Sequence, residues 1–319
     1  MYKFPIGVMN ASFRLPFEES LDAAARLGAK GIQLFATHGE YSPEELDAAK
    51  RREVLKKLKD RGLVFSALCG DLGRGFGNKE LNPELIEKSK RILDLAKDLE
   101  TDIVTTHIGV VPTDPGHERY KIMSEACFEL SRYADSIGSH FAIETGPETS
   151  AVLKGFLDQL GSTGVAVNLD PANLAMVTGD DPVQALYNLK DYIVHTHAKD
   201  GVMLERGNPE WIYGVIKAPE DVAGIRFFEE VPLGTGAVDF PAYLKALESV
   251  GYTGYLTIER EVGDNPAADI GTAVNFLNKI MEENRYEQAE SRRHRRRRHF
   301  RNAHRRLQGQ PQCGDRCVL

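Results

Sequence analysis

Eight short apolar segments, each followed by a helix-like segment, recur along residues 1 to about 285. The apolar segments are rich in Val, Ile, Leu and Thr, as are strands buried in a parallel sheet, and several helix-like segments end on Gly, as helices commonly do. The candidate strands are residues 4–9, 31–35, 64–68, 103–107, 141–145, 165–170, 193–197 and 255–259. Eight such units predict an α/β fold, the (β/α)8 TIM barrel, because an open doubly wound sheet usually has about five or six strands.

The length and composition fit one large barrel. The chain has 319 residues, of which 42% are hydrophobic, so it can bury a large core. Its start, MYKFPIGVMN, lacks the charged and apolar regions of a signal peptide, and no apolar run reaches the roughly 18 residues of a membrane span. Four cysteines in a chain of this length do not form a disulfide framework. We therefore expect a cytoplasmic protein with no membrane partner.

The net charge of −7 combines an acidic body with a basic end. Residues 290–319 hold ten arginines against two acidic residues and lack periodic apolar positions, which predicts a disordered basic C-terminal tail without a catalytic role. The expected division is a catalytic barrel over residues 1–289 and a tail over 290–319. Nucleic acid is an unfavourable partner for the acidic body, because affinity for phosphates comes mainly from Lys and Arg; only the tail suits nonspecific binding.

Four ionisable residues stand at the carboxyl ends of four candidate strands, where barrel enzymes gather their chemistry. They are Glu144 in AIET, Asp170 in AVNLD, His197 in IVHTH and Glu259 in YLTIE. Singly, each has an alternative role in capping a helix or pairing with Lys or Arg. Together, three carboxylates and an imidazole form a mixed oxygen and nitrogen set that suits Mn, Co, Mg or Zn, and without a cation the carboxylates would repel one another. The pattern predicts one divalent metal ion.

Other residues near the strand ends are candidates for binding substrate. Lys199, two residues after His197, could reach a substrate oxygen or instead neutralise Asp200 or Glu205, while His195 is expected to be a hydrogen-bonded barrel residue. The glycine-rich runs GDLGRGFGN and PLGTG lack the GK[ST] context of a phosphate loop and favour active-site loops. For a phosphorylated substrate, the nearest basic candidates are Arg74 and Lys79.

The runs IETG, NLDPANL, HTHAKD and VPLGTGAVDFPAYLKALESVGYTGYLTIERE resemble the xylose-isomerase-like TIM barrel family of sugar and sugar-phosphate isomerases and epimerases. The resemblance covers about residues 1–285 and implies the same four metal ligands, with Glu144 and Glu259 also acting as acid and base. It places His107 near the substrate or a second metal, although a structural role is an equal alternative, and Asn173 where some members bind substrate or metal through a histidine. Endonuclease-IV-type enzymes share the barrel but need further histidines for three zinc ions, which argues against a nuclease.

The expected function is therefore a divalent-metal-dependent sugar or sugar-phosphate isomerase or epimerase that removes a proton next to a carbonyl through a metal-stabilised enediolate. Expulsion of a β-hydroxyl on the same site would instead dehydrate an inosose or related keto-polyol. An alternative of another class is a non-catalytic barrel with a nucleic-acid-binding tail, which the complete ligand set disfavours. The substrate is expected to be a small sugar or polyol, and a homo-oligomer is compatible with the sequence.

Overall fold

A computed structural model of the chain describes residues 4–222 and 224–283 and contains a closed barrel of eight parallel strands. The eight barrel strands are β1 Ile6–Met9, β2 Gly31–Phe35, β3 Val64–Cys69, β4 Ile103–Thr106, β5 His140–Glu144, β6 Val165–Leu169, β7 Ile193–Ala198 and β10 Leu256–Ile258; two further strands, β8 Asp200–Met203 and β9 Phe228–Val231, form a separate sheet. Strands β1 to β7 follow one another around the barrel, and β10 closes it between β7 and β1. The predicted TIM barrel is confirmed, and each candidate strand coincides with a barrel strand to within two residues.

Helices surround the barrel and contribute their apolar faces to one core. They are α1 Phe17–Arg26, α2 Ala48–Lys59, α3 Asn82–Asp98, α4 Glu118–Ile137, α5 Ser150–Leu160, α6 Pro171–Asn173, α7 Pro182–Leu189, α8 Pro209–Ile212, α9 Phe240–Ser249 and α10 over 266–283. Leu21, Leu93, Leu157 and Leu244 are fully buried members of that core. Among the described helices none is both long and apolar enough to cross a membrane.

The inside of the barrel is polar just below the carboxyl ends of the strands. Gln33, Thr105, Asn168, His195 and Thr257 are fully buried. Gln33 Nε2 donates to Thr105 Oγ1 at 2.8 Å, His195 Nδ1 lies 2.8 Å from Asn168 Oδ1, and Thr257 Oγ1 lies 2.8 Å from His195 Nε2. Burial lowers the pKa of His195 well below its ordinary value, so this histidine is a neutral, hydrogen-bonded barrel residue, as the sequence predicts.

A segment between β7 and α9 adds structure that the strand–helix alternation does not predict. Strands β8 and β9 form an antiparallel ribbon, with Asp200 opposite Val231 and Met203 opposite Phe228, and α8 lies between them in the chain. The ribbon packs against α6 and against the π-helical turn Leu174–Thr178, which follow β6 in the chain. This insertion forms one side of the mouth of the barrel. The predicted tail at 290–319 lies outside the described residues.

Candidate metal centre and active site

The four side chains that the sequence predicts as metal ligands lie together at the carboxyl end of the barrel. Glu144 ends β5, Asp170 follows β6, His197 lies in β7 and Glu259 follows β10. Each offers one ligand atom, and these atoms lie within 4.8 Å of one another. His197 Nδ1 is 3.2 Å from Asp170 Oδ2, 3.3 Å from Glu259 Oε2 and 3.4 Å from Glu144 Oε1. A single small cation would therefore be within reach of all four.

The imidazole of His197 is oriented by a hydrogen bond on its far side. Its Nε2 lies 2.9 Å from Gln33 Oε1, and because Gln33 uses its amide NH2 on Thr105, the Gln33 oxygen is the acceptor. When the ring is neutral, the Nδ1 lone pair then faces the carboxylates, as a metal-binding imidazole requires. Burial alone would lower the pKa of His197, but Glu259 and Glu144 outweigh it and raise the pKa well above its ordinary value. A cation would compete with that proton, since a ligand imidazole is neutral.

Asp170 combines two functions in one carboxylate. Its Oδ1 accepts hydrogen bonds from the backbone N–H groups of Ala172 and Asn173 at 2.8 and 3.0 Å and so caps α6, while its Oδ2 faces His197. Thr145 fixes the backbone, since its hydroxyl accepts from Asp170 N at 2.8 Å and donates to Asp170 O at 3.0 Å. The two roles that the sequence offered for this residue, helix cap and ligand, are thus compatible.

Two amides hold the Glu144 carboxylate. Asn173 Nδ2 donates to Glu144 Oε1 at 3.1 Å, and Asn168 Nδ2 donates to Glu144 Oε2 at 3.1 Å. Asn173 also lines the cavity above the four residues, so the position expected to bind substrate belongs to the site. The loop after β5 lies close to Asn173: a Cβ at Gly146, whose φ is 140°, would overlap the Asn173 side chain. Glycine at 146 permits both the backbone conformation and the close contact.

Lys199 belongs to the same cluster. Its Nζ lies 3.0 Å from Glu259 Oε2 and also contacts Glu261 Oε2, and the side chain is 3% exposed. Burial would raise the pKa of Glu259, but His197 and Lys199 outweigh burial and lower it well below its ordinary value. Glu259 is therefore a charged carboxylate. Among the described residues Lys199 pairs with Glu259 and Glu261 and not with Asp200 or Glu205, the alternative partners that the sequence offered. The carboxylate of Asp200 accepts four backbone N–H groups.

His107 lies at the edge of the cluster beside a carboxylate that the sequence patterns did not single out. Its Nδ1 is 3.2 Å from Asp71 Oδ2, and its Nε2 is 3.8 Å from Glu144 Oε1. Burial alone would lower the pKa of His107, but the carboxylates of Glu144 and Asp71 outweigh it and raise the pKa to about 9. Asp71 stands two residues past the end of β3, and that placement was the available signal for including it.

A cavity of about 620 Å³ opens above the cluster, a size typical of small-molecule sites. Glu144 and Glu259 line it together with Lys199 and His107. The lining also includes apolar and aromatic side chains, namely Met9, Phe35, Val177, Ile212, Tyr213, Phe228 and Val262. Charged groups and apolar side chains in one cavity suit a small polyhydroxylated molecule that also has a less polar face.

Comparisons with known proteins agree with this architecture. The family model described as xylose isomerase-like TIM barrel matches residues 21–280. An Escherichia coli protein, provisionally named L-ribulose-5-phosphate 3-epimerase, is 22% identical over 84% of this chain and 93% of its own. The crystal structure of a xylose isomerase domain protein from Planctomyces limnophilus superposes with a TM-score of 0.70 at 24% identity, covering 88% of this chain and 97% of that one.

A further solved structure represents different chemistry on the same fold. The probable 3-DHS dehydratase of Bacillus anthracis superposes with a TM-score of 0.66 at 20% identity, covering 86% of this chain and 98% of that one. At this identity the structural likeness establishes the fold alone, whereas the family match covers most of the sequence. The chain belongs to the xylose-isomerase-like TIM barrel family, whose enzymes include isomerases and epimerases of sugars.

Proposed function

We propose that the protein is a divalent-metal-dependent isomerase or epimerase of a sugar or sugar phosphate. The observation that carries the proposal is the convergence of Glu144, Asp170, His197 and Glu259, two of which, Glu144 and Glu259, line the cavity. Three carboxylates in one buried place are costly unless a cation compensates their charge. The donor set of oxygens and one imidazole nitrogen fits Mn, Co, Mg or Zn, and no thiol of the described residues belongs to it.

The four residues would hold one such ion. When bound, the ion would polarise the carbonyl and neighbouring hydroxyl of a ketose and offset the negative charge that develops on these oxygens. The imidazole would bind through Nδ1, because its Nε2–H is donated to Gln33. Asp170 would bind through the oxygen that does not cap α6.

Glu144 and Glu259 are the proposed acid and base. They stand on β5 and β10, which are three strands apart around the closed barrel, so their carboxylates enter the cavity from different sides. One carboxylate takes the C–H proton next to the carbonyl, and the electron pair of the broken bond remains in the enediolate. Return of a proton from the other side to the same carbon inverts its configuration and gives epimerisation. Return to the adjacent carbon, with the second oxygen becoming the carbonyl, gives isomerisation.

The polar residues around the two glutamates have supporting roles in this proposal. The amide of Asn173 holds Glu144 in place and borders the cavity. The ammonium of Lys199 holds Glu259 and would donate to a substrate oxygen. His107 is anchored by Asp71 through Nδ1, which leaves Nε2 on the side of Glu144 to contact a substrate hydroxyl.

A dehydratase acting on an inosose or related keto-polyol is the second candidate. Lys199 favours it, because an ammonium group beside the proposed base could deliver a proton to a departing β-hydroxyl, so that water leaves as the C–O bond breaks. The fold likeness to the Bacillus anthracis dehydratase is compatible with this chemistry. Dehydration and epimerisation share the first proton removal and differ in the fate of the enediolate.

Proton exchange from the solvent tests the shared first step. The protein would be stripped with a chelator, reloaded separately with Mn, Co, Mg or Zn, and incubated in D2O with ketoses, inososes and their phosphates. We expect deuterium to appear next to the carbonyl of at least one compound, in a metal-dependent manner, together with an epimer or isomer detected by NMR. An unsaturated or dicarbonyl product with loss of water would identify the dehydratase. Metal binding without exchange on any compound would contradict both and favour a non-catalytic barrel.

A further inference from the structure

In the loops that commonly bind phosphate in TIM barrels, those after strands seven and eight, carboxylates of this protein occupy several of the backbone N–H donors. Asp200 stands two residues past the end of β7, and its buried carboxylate accepts the N–H groups of Gly201, Gly234, Gly236 and Val238 at 2.9 to 3.2 Å. A Cβ at Gly236 would overlap Asp200 Oδ1. The glycine-rich run PLGTG therefore wraps around a carboxylate of this chain, which takes the N–H donors that a phosphate would need.

In the loop after β10, one backbone N–H and the Arg260 side chain have carboxylates of the protein as partners. The Glu261 N–H donates to Glu230 Oε1 at 3.1 Å. Arg260 donates to Glu230 at 2.7 Å and to Asp269 at 2.8 Å. Arg14 donates to the backbone carbonyls of Gly263 and Glu261 at 2.8 and 2.7 Å. Both arginines close to this loop are thus committed to the protein itself.

The charges lining the cavity point the same way. Every Lys, Arg and His among the described lining residues has a carboxylate partner: His107 has Asp71, Lys199 has Glu259 and Glu261, Arg226 has Glu229 at 3.2 Å, and Arg260 has Glu230. Arg74 and Lys79, the basic candidates from the sequence, are not among the described lining residues. The carboxylates of Asp71, Glu229, Glu230 and Glu261 border the cavity in addition to the proposed ligands.

We propose that the substrate carries no phosphate group and is a neutral ketose or keto-polyol. Each described Arg and Lys that lines the cavity already has a carboxylate partner, so a phosphate dianion would lose hydration beside carboxylates and would have to displace one of them to gain a cation. The apolar parts of the substrate would lie against side chains such as Phe35, Ile212 and Phe228, which line the cavity. The inference rests on the proposed function and narrows it to one substrate class, different from the phosphorylated sugar in the name of the Escherichia coli relative.

Paired substrates test the inference in the full-length, metal-loaded protein. For each ketose that exchanges deuterium, kcat/KM would be compared with that of its terminal phosphate at the same free metal concentration, for instance fructose with fructose 6-phosphate and ribulose with ribulose 5-phosphate. We expect the phosphate to be poorer by at least about tenfold in every active pair. A phosphate that equals or exceeds its parent ketose would overturn the inference while supporting the proposed isomerase.

If no compound exchanges deuterium, the proposed function fails. Binding measurements would still test the inference that the substrate carries no phosphate. Sorbitol and sorbitol 6-phosphate would be titrated calorimetrically into the protein. Weaker binding of the phosphate supports a cavity built for neutral polyols, and tighter binding of the phosphate contradicts it. The two proposals can therefore fail separately.

A variant tests the charge argument directly. Glu229 and Glu220 are both exposed residues of the insertion. Glu229→Gln removes the partner of Arg226 in the cavity lining, whereas Glu220→Gln removes the same charge from a position outside that lining. We expect Glu229→Gln to improve kcat/KM for the phosphate at least about threefold relative to its parent ketose, and Glu220→Gln to leave the ratio unchanged. If the ratio of kcat/KM for the phosphate to kcat/KM for its parent ketose were the same in both variants, the claim that pairing with Glu229 keeps Arg226 from a substrate phosphate would be refuted.

Discussion

Gln33 Oε1 lies 2.9 Å from His197 Nε2, on the side of the imidazole opposite to the three carboxylates. These residues belong to β2 and β7, which stand three strands apart around the barrel. In the neutral ring that a cation would bind, this hydrogen bond keeps the proton on Nε2, and it also orients the plane of the ring. The amide of Gln33 therefore prepares the proposed ligand before any cation binds.

Replacing Gln33 by Leu should weaken binding of a divalent cation by about tenfold to a hundredfold, the range typical for loss of such a supporting hydrogen bond. The measurement is titration with Mn or Co against a competing chelator, accompanied by thermal unfolding to verify the fold. Gln33→Glu is the matched control, because it keeps an acceptor for His197 and can accept from the hydroxyl of Thr105. Unchanged affinity in Gln33→Leu would show that His197 needs no such support.

Glu144→Gln and Glu259→Gln should each lower turnover by at least about a hundredfold without unfolding the protein, because an amide cannot take up the substrate proton. Loss of the cation could produce the same effect, so metal content must be measured beside activity. A variant that retains metal and loses turnover has lost its acid or base. Near-wild-type turnover in either variant would remove that residue from the proposed chemistry.

The barrel strands and the four converging residues could be predicted because their signals are local. A run of apolar and β-branched residues that ends on an acid or histidine predicts both a strand and a functional side chain at its carboxyl end, as in YLTIE, which ends at Glu259. The partnership of Gln33 with His197 has no such signal. These residues are 164 positions apart in the chain, and only closure of the barrel brings them together.

The insertion after β7 was unpredictable for a different reason. Its strands are four residues each, too short for a periodic pattern, and the ribbon depends on pairing between residues 25 to 31 positions apart, from Met203 with Phe228 to Asp200 with Val231. The run PLGTG suggested a loop but not its partner. The carboxylate that this loop surrounds belongs to Asp200, at the start of β8, and its backbone contacts could not be read from residue types alone.

Glu148 should give the free energy of unfolding a distinct dependence on pH. Its side chain is 6% exposed, and burial raises its pKa to about 8 although Val111 N–H donates to it at 3.2 Å. The folded protein thus keeps a proton that the unfolded chain releases near pH 4.5. The contribution of Glu148 to the free energy of unfolding is fully present below pH 4.5 and is lost as the pH rises to about 8. Over that range the free energy of unfolding falls by at most about 1.4 kcal/mol per pH unit.

Urea unfolding between pH 5 and pH 9 would measure this contribution. Glu148→Gln should remove the decline, since the amide does not titrate, whereas Glu125→Gln, at an exposed position on α4, should preserve it. A decline of equal slope in wild type and Glu148→Gln would assign the pH dependence to other groups.

Removal of residues 290–319 should leave thermal stability and turnover nearly unchanged. The barrel core, the four proposed ligands and the cavity all lie within residues 4–283, and an arginine-rich segment without periodic apolar residues has little to contribute to a core. Nonspecific binding to nucleic acid, if measured for the full chain, should weaken steeply with salt and disappear in the truncated protein, because it depends on counterion release by the arginines. A melting temperature lowered by more than about 5 °C, or loss of turnover, would instead mean that the basic segment docks on the acidic barrel.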